Sequence, residues 1–147
     1  MGNVMNKSKR LFLIAVFCLI FHSQAYGMSI RMDAIKSIES SGNTLAYNKG
    51  SGARGLYQIT PICLKEWNNL HKSERYNLNQ LFDGNINTKI AKWYIEVRIP
   101  QMLKHYKKEV SIENIIWAYN AGIGYVVKNI KPLETIDYIV KYQRLTK

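Results

Sequence analysis

Cysteine is nearly absent from this chain: its 147 residues contain two, Cys18 and Cys63. Cys18 lies in an N-terminal segment expected to be removed, which leaves Cys63 single. A single cysteine forms no internal disulfide, so the fold has to stand on its core alone. Histidine is equally sparse. His22, His71 and His105 are isolated, and no Cys/His pair has ligand spacing, so neither a metal nor a cofactor is expected. Long hydrophobic runs are missing too. The apolar run Leu11 to Phe21 holds eleven residues, whereas a membrane-spanning helix needs about 20. Acidic residues are few, 10 against 21 Lys and Arg, for a net charge of +11.

What precedes residue 28 has the order of a secretory signal peptide. Lys7, Lys9 and Arg10 come first, the apolar run follows, and the small residues Ala25 and Gly27 place the expected cleavage after Gly27. The shortness of the run argues against a permanent anchor. Cys18 is discounted as a lipid-attachment site because it lies inside the run and follows the bulky Phe17. Residues 28–147 are then expected to form one compact domain of 120 residues, exported to the periplasm or the extracellular space. In that domain 18 basic residues face 10 acidic ones, a net +8. Such a surface suits nucleic acid, an anionic membrane or the anionic cell-wall polymer. Nucleic acid is rejected. The cations are scattered, no nucleic-acid motif occurs, and an export signal leads away from the genome.

The domain reads as helical throughout, with no linker, repeat or low-complexity tract. Ile30, Ala34, Ile35 and Ile38 form one apolar stripe, stopped by Ser41, Gly42 and Asn43. Thr60 is expected to cap a helix that has Pro61 at its first position and runs through Trp67 and Leu70. Residues 71–79 read as a loop. Asp83 should cap a helix whose core face is Ile86, Ile90, Trp93, Tyr94 and Val97, until Pro100 breaks or restarts it. Ser111 caps a helix carrying Ile112, Ile115, Ile116 and Tyr119 that ends at Gly122, and a last helix from about Thr135 to Leu145 turns Ile136, Ile139 and Val140 inward. Trp67, Trp93 and Trp117 fall on helix stripes and are read as core. Strand character is confined to Leu56–Ile59, so the expected class is all-α or α-dominated.

The chemistry concentrates in KSIESSGNTLAYNKGSGARGLYQITP, residues 36–61. It sets Glu39 in the last turn of a helix, beside the core stripe, ahead of a glycine-bearing loop and a compact turn. The negative end of the helix dipole and partial burial both disfavour ionisation there, which moves a carboxyl toward the range of a general acid. Glu39, Ser40 and Asn43 spell E-S-x-x-N, and Gly52, Gly55, Leu56, Gln58, Ile59 and Pro61 spell G-x-x-G-L-x-Q-I-x-P. Ala118 to Gly122 spell A-Y-N-A-G, and Glu134, Thr135 and Tyr138 spell E-T-x-x-Y. With these four elements in order, the chain resembles the catalytic domain of the soluble lytic transglycosylases, lysozyme-like enzymes that cleave peptidoglycan. Tyr57 departs from the Met common in that family and touches the fine shape of one sugar subsite.

The resemblance implies a single lysozyme-like domain of the goose-type lysozyme class. It puts Glu39 in the place of the catalytic acid. Ser40 and Asn43 support it, Tyr119 and Asn120 position the acid and the sugar, Gln58 hydrogen-bonds the substrate, and Tyr138 lies near the reacting centre. Glycoside cleavage usually employs two carboxylates, but the motif region around residues 36–61 supplies Glu39 and no obvious second. Glu134 and Asp137, beside Tyr138, approach only if the fold brings them. In the family's chemistry one residue acts twice. Glu39 protonates the oxygen between N-acetylmuramic acid and N-acetylglucosamine, the substrate's N-acetyl group stabilises the cationic centre, and Glu39 then takes the proton of the muramic 6-hydroxyl as a 1,6-anhydro ring closes. A goose-type muramidase using water, and a non-catalytic glycan-binding or assembly protein, are the alternatives. Glycan strands are the expected partner of a monomer. A secretion, conjugation or pilus apparatus, general wall turnover and a phage role are all compatible settings.

Overall fold

Side-chain caps start the helices where the sequence places them. Thr60 Oγ1 accepts the Cys63 N–H at 3.2 Å with Pro61 at the first helical position, opening one helix over Pro61–Leu70. Asp83 Oδ1 accepts from Asn85 and Ile86 at 2.8 and 3.1 Å, opening another over Gly84–Trp93. Ser111 Oγ accepts from Asn114 at 3.2 Å ahead of Ile112–Ala121. Each such cap contributes about 1 kcal/mol. The computed structural model describes residues 29–147; the expected leader and its cleavage site lie outside the described residues.

The order of elements is α1 (Met32–Ser40), α2 (Pro61–Leu70), a 3-10 turn (Leu78–Phe82), α3 (Gly84–Trp93), a π-helical turn (Tyr94–Arg98), α4 (Ile99–His105), α5 (Ile112–Ala121), α6 (Ile123–Lys128) and α7 (Leu133–Leu145). The protein is all-α. Helix α5 is its centre. Ile115, Ile116, Trp117 and Ala118 are buried in succession, and α4, α6 and α7 pack against it. Helix α7 also packs on α1, and two of its tyrosines reach opposite ends of that helix. Tyr138 bonds Glu39 in the last turn, while the Tyr142 hydroxyl accepts the Arg31 N–H at 2.9 Å.

Several expectations are corrected. Leu56–Ile59 is a turn and not a strand. Among the described residues, extended pairing is limited to the isolated bridges Tyr47–Arg54 and Arg54–Ile59. The strand-like signal has a physical source, because burial alternates through Ala53, Gly55, Tyr57 and Ile59 without a partner strand. The loop expected over 71–79 gives way at Leu78 to the 3-10 turn, which Asn77 and Gln80 cap reciprocally.

The long helical stretch keeps going past Trp93, but with one residue extra. Ile99 N–H bonds the Tyr94 carbonyl five residues back, which rotates the inward face. Ile95 and Ile99 are fully buried in place of Val97, which is 44% exposed. Pro100 restarts the helix at its second position, directly after the opened turn, where its ring avoids a clash with a regular i−4 carbonyl. Helix α6 went unread, as a six-residue helix after Gly122 gives too short a pattern. In α7, Ile136 and Val140 face solvent at 41% and 37% exposure, and Thr135, Tyr138, Ile139 and Tyr142 face inward. Trp67 and Trp117 are buried and Trp93 packs against the core, as expected.

Candidate active site

Helix α1 ends at Ser40, one residue after Glu39, because Ser41 turns left-handed at φ 53° and returns its N–H to Ser37. The carboxyl of Glu39 thereby stands at a helix end facing a cleft of about 550 Å³. Gln58, Tyr94, Tyr119, Asn120 and Glu134 line the same cleft.

Its far wall is the loop between α1 and α2, and that loop is fixed by glycine and by a buried asparagine. Gly55 adopts φ 76°, and a Cβ there would sit 2.3 Å from the Leu81 carbonyl and 2.4 Å from Asn87 Nδ2, so no side chain fits. Asn87, on α3, is completely buried. Its Nδ2 donates to the carbonyls of Arg54 and Leu81, both at 2.8 Å, and its Oδ1 accepts the Tyr57 N–H at 2.9 Å. Two backbone groups of the loop, the Arg54 carbonyl and the Tyr57 N–H, are thus engaged by one side chain from another element, which also holds the 3-10 turn at Leu81. Sequence reasoning missed Asn87. The available signal was a polar residue one position after Ile86 on an otherwise apolar helix face.

Ser40 joins the acid's helix to this loop, its Oγ donating to the Leu56 carbonyl at 2.8 Å. Gln58 lines the cleft at the unusual φ of 48°, and its Nε2 is engaged by the carbonyls of Ala46 and Gly55 at 3.3 and 3.1 Å. Tyr119 donates to the Tyr57 carbonyl at 2.5 Å, tying α5 to the loop. Asn120 Oδ1 accepts from Thr135 Oγ1 at 2.7 Å, tying α5 to α7. Tyr138 donates to Glu39 Oε1 at 2.7 Å. Asn43 lies apart. It is exposed and uses its Oδ1 on the Leu45 N–H at 2.9 Å, which shapes the loop after α1 and leaves it outside the cleft lining. Tyr57 is also elsewhere than the sugar-subsite reading put it. The inward-outward alternation buries its ring in the core at 4% exposure.

Burial sets the electrostatics. Desolvation raises the Glu39 carboxyl from an ordinary 4.5 to about 7, against the lowering effect of the Tyr138 hydrogen bond and with a smaller push from the Glu134 charge. The fold therefore brings a second carboxylate to the cleft, exposed at its edge. Tyr119 and Tyr138 stay neutral because burial raises both phenols. Cys63 also lines the cleft, but burial pushes its thiol up to about 12, too high for a thiolate nucleophile. The arrangement offers one carboxyl that is divided between acid and base forms at neutral pH, oriented by a neutral phenol.

A family model described as the transglycosylase SLT domain matches residues 18–138. No curated protein matches the chain.

Proposed function

The chain belongs to the transglycosylase SLT domain family, whose lysozyme-like enzymes act on peptidoglycan, and from that premise we propose that it is an exported lytic transglycosylase with Glu39 as its single acid and base. The observation that carries the reading is the Glu39 carboxyl, raised to about 7 in the cleft and held through Oε1 by Tyr138. Oε2 takes no hydrogen bond from the described residues, which leaves that oxygen for a ligand.

In the proposed reaction, protonated Glu39 gives its proton to the oxygen joining N-acetylmuramic acid to N-acetylglucosamine. The bond to the muramic anomeric carbon breaks, and the neighbouring N-acetyl oxygen takes up the electron deficiency. The 6-hydroxyl oxygen then attacks that carbon while Glu39, now ionised, accepts the hydroxyl proton. The acid is returned to its starting state and no water is consumed. A pKa near the working pH suits both halves of this cycle.

Glu134 favours a second reading. Two carboxylates in one cleft can divide the roles of acid and water-activating base, which is the layout of a hydrolytic muramidase. Zymography on purified peptidoglycan with wild type and Glu39→Gln tests the shared premise. Clearing by wild type and none by the variant is expected, and equal clearing, or none by either, contradicts it.

Export also belongs to the proposal. Intact mass of the exported protein should show a chain starting at or within a few residues of Met28, and full-length protein held in the membrane contradicts it.

A further inference from the structure

A second groove, of about 740 Å³, lies against the cleft and plays no part in the chemistry above. The two share a ridge one residue thick. Thr60 and Ile62 line the cleft while Pro61 between them lines the groove, and Ala53 lines the cleft while Arg54 lines the groove. A molecule seated in the cleft against Thr60 and Ile62 is therefore beside the groove.

The two depressions have opposite electrostatic character. The cleft lining contains the carboxyls of Glu39 and Glu134 and no lysine or arginine, whereas the groove lining contains Arg54, Lys65 and Arg75 and no carboxylate. Among the described residues neither Lys65 nor Arg75 enters an ion pair. Glu74, the acid beside Arg75, is held by Lys89 and Tyr76, and Glu66, the acid beside Lys65, is held by Arg98.

The groove is built rather than incidental. Arg54 is fixed, donating to the Gly52 carbonyl at 3.1 Å with its guanidinium 5.0 Å over the Tyr47 ring. Asn68 clamps the backbone of Tyr76 in both directions, Oδ1 accepting at 2.9 Å and Nδ2 donating at 2.7 Å. Leu64, buried, and Leu78 give the floor and wall apolar surface.

We propose that this groove binds the carboxylate-bearing stem peptide carried by the muramic sugar, with Lys65 and Arg75 meeting its carboxylates. The proposal rests on the peptidoglycan reading of the neighbouring cleft. A stem of four residues extends about 14 Å, enough to cross a ridge one residue thick and run along the groove. The free cations supply attraction for carboxylates that the acidic cleft itself repels, and the apolar floor accommodates alanine side chains.

The test separates the groove from the cleft. A fluorescein-labelled tetrapeptide of stem composition, L-Ala–D-γ-Glu–diaminopimelate–D-Ala, is titrated into the full-length protein and into the Lys65→Glu/Arg75→Glu variant. Both positions are exposed, so the variant should melt as wild type does. Wild type should bind with weak affinity that falls as salt rises, and the variant should lose about 10-fold or more. In parallel, cleavage is compared on peptidoglycan bearing its stems and on strands stripped of them by an amidase. The variant should raise KM on the stem-bearing substrate and leave kcat, and all rates on stripped strands, unchanged. Absence of peptide binding, binding indifferent to the variant, or equal loss on both substrates overturns the proposal; the first of these is also what a groove made for an acidic protein partner would give. If wild type cleaves neither substrate the enzymatic reading fails, and the peptide titration still decides the groove.

Discussion

The hydroxyl of Tyr138 donates to Oε1 of Glu39 at 2.7 Å across 99 positions of sequence, and it is the one hydrogen bond that the described residues give that carboxyl. It stabilises the ionised form and so works against the burial that raises the pKa. Tyr138→Phe keeps the ring in its place and removes the donor. The pKa of Glu39 should rise further and the alkaline limb of the kcat–pH profile should move to higher pH. Bonds to charged groups contribute about 1.5–3 kcal/mol, so the rate near neutrality should fall about 10-fold or more through lost orientation of the carboxyl. An unchanged profile would show that the bond does not form in solution.

Glu39→Gln should remove lysis by about 10²- to 10⁴-fold, the usual worth of a general acid, and should make the protein more stable at alkaline pH. The sign follows from the raised pKa. Between 4.5 and about 7 the folded protein holds a proton that the unfolded chain has released, so stability falls as pH rises through that window and levels off above it. At 1.36 kcal/mol per pH unit the full cost of the buried charge is of order 3 kcal/mol. The glutamine variant carries no such cost. Its melting temperature should exceed that of wild type at pH 8 and match it near pH 4, and a variant less stable than wild type at pH 8 would contradict the burial of the charge.

Much of this site was legible because local rules and the motif elements agree. The end of α1, the caps Thr60, Asp83 and Ser111, and the restart at Pro100 each depend on a few neighbouring residues. Where the reading failed, the deciding partner was distant. Helix α7 presents Thr135, Tyr138 and Tyr142 inward because Asn120, Glu39 and Arg31 wait there to bond them, and a hydrophobicity pattern prefers Ile136 and Val140. The π turn at Tyr94–Arg98 shifts the buried face by one residue, which no periodic template contains. Glu134 belongs to the E-T-x-x-Y element, but it reaches the cleft edge only through the packing of α7 against α5.

Asn87 should matter more to stability than its polar side chain suggests. Asn87→Ala strands the Tyr57 N–H and deprives the buried carbonyls of Arg54 and Leu81 of a donor. At about 1–3 kcal/mol per unsatisfied group, a loss of roughly 3 kcal/mol or more is expected in urea denaturation. Gly55→Ala should do comparable damage from the other side, since its Cβ meets the Leu81 carbonyl and the Asn87 amide in a backbone conformation at φ 76°. Because this loop forms one wall of the cleft, both variants should lose activity at temperatures where they remain folded. Wild-type denaturation midpoints in either would show that the loop does not depend on this anchor.

The products decide between ring closure and hydrolysis. If the muramic 6-hydroxyl attacks, the released muropeptides end in 1,6-anhydromuramic acid, one water lighter than reducing products and inert to borohydride. We expect these, since Glu39 near pKa 7 is able to act as acid and base in turn, and the second carboxyl, Glu134, lies exposed at the cleft edge, where an activated water is not shielded from solvent. Glu134→Gln sharpens the test. Its charge is a minor contributor to the raised pKa of Glu39, so in a transglycosylase the variant should keep most of its activity, shift the pH profile slightly toward acid and yield the same anhydro products. In a muramidase the same variant would lose its base and with it about 10²-fold or more in rate. Reducible muropeptides from wild type, together with a collapse of activity in Glu134→Gln, would leave Glu39 as the acid and assign the attack to water.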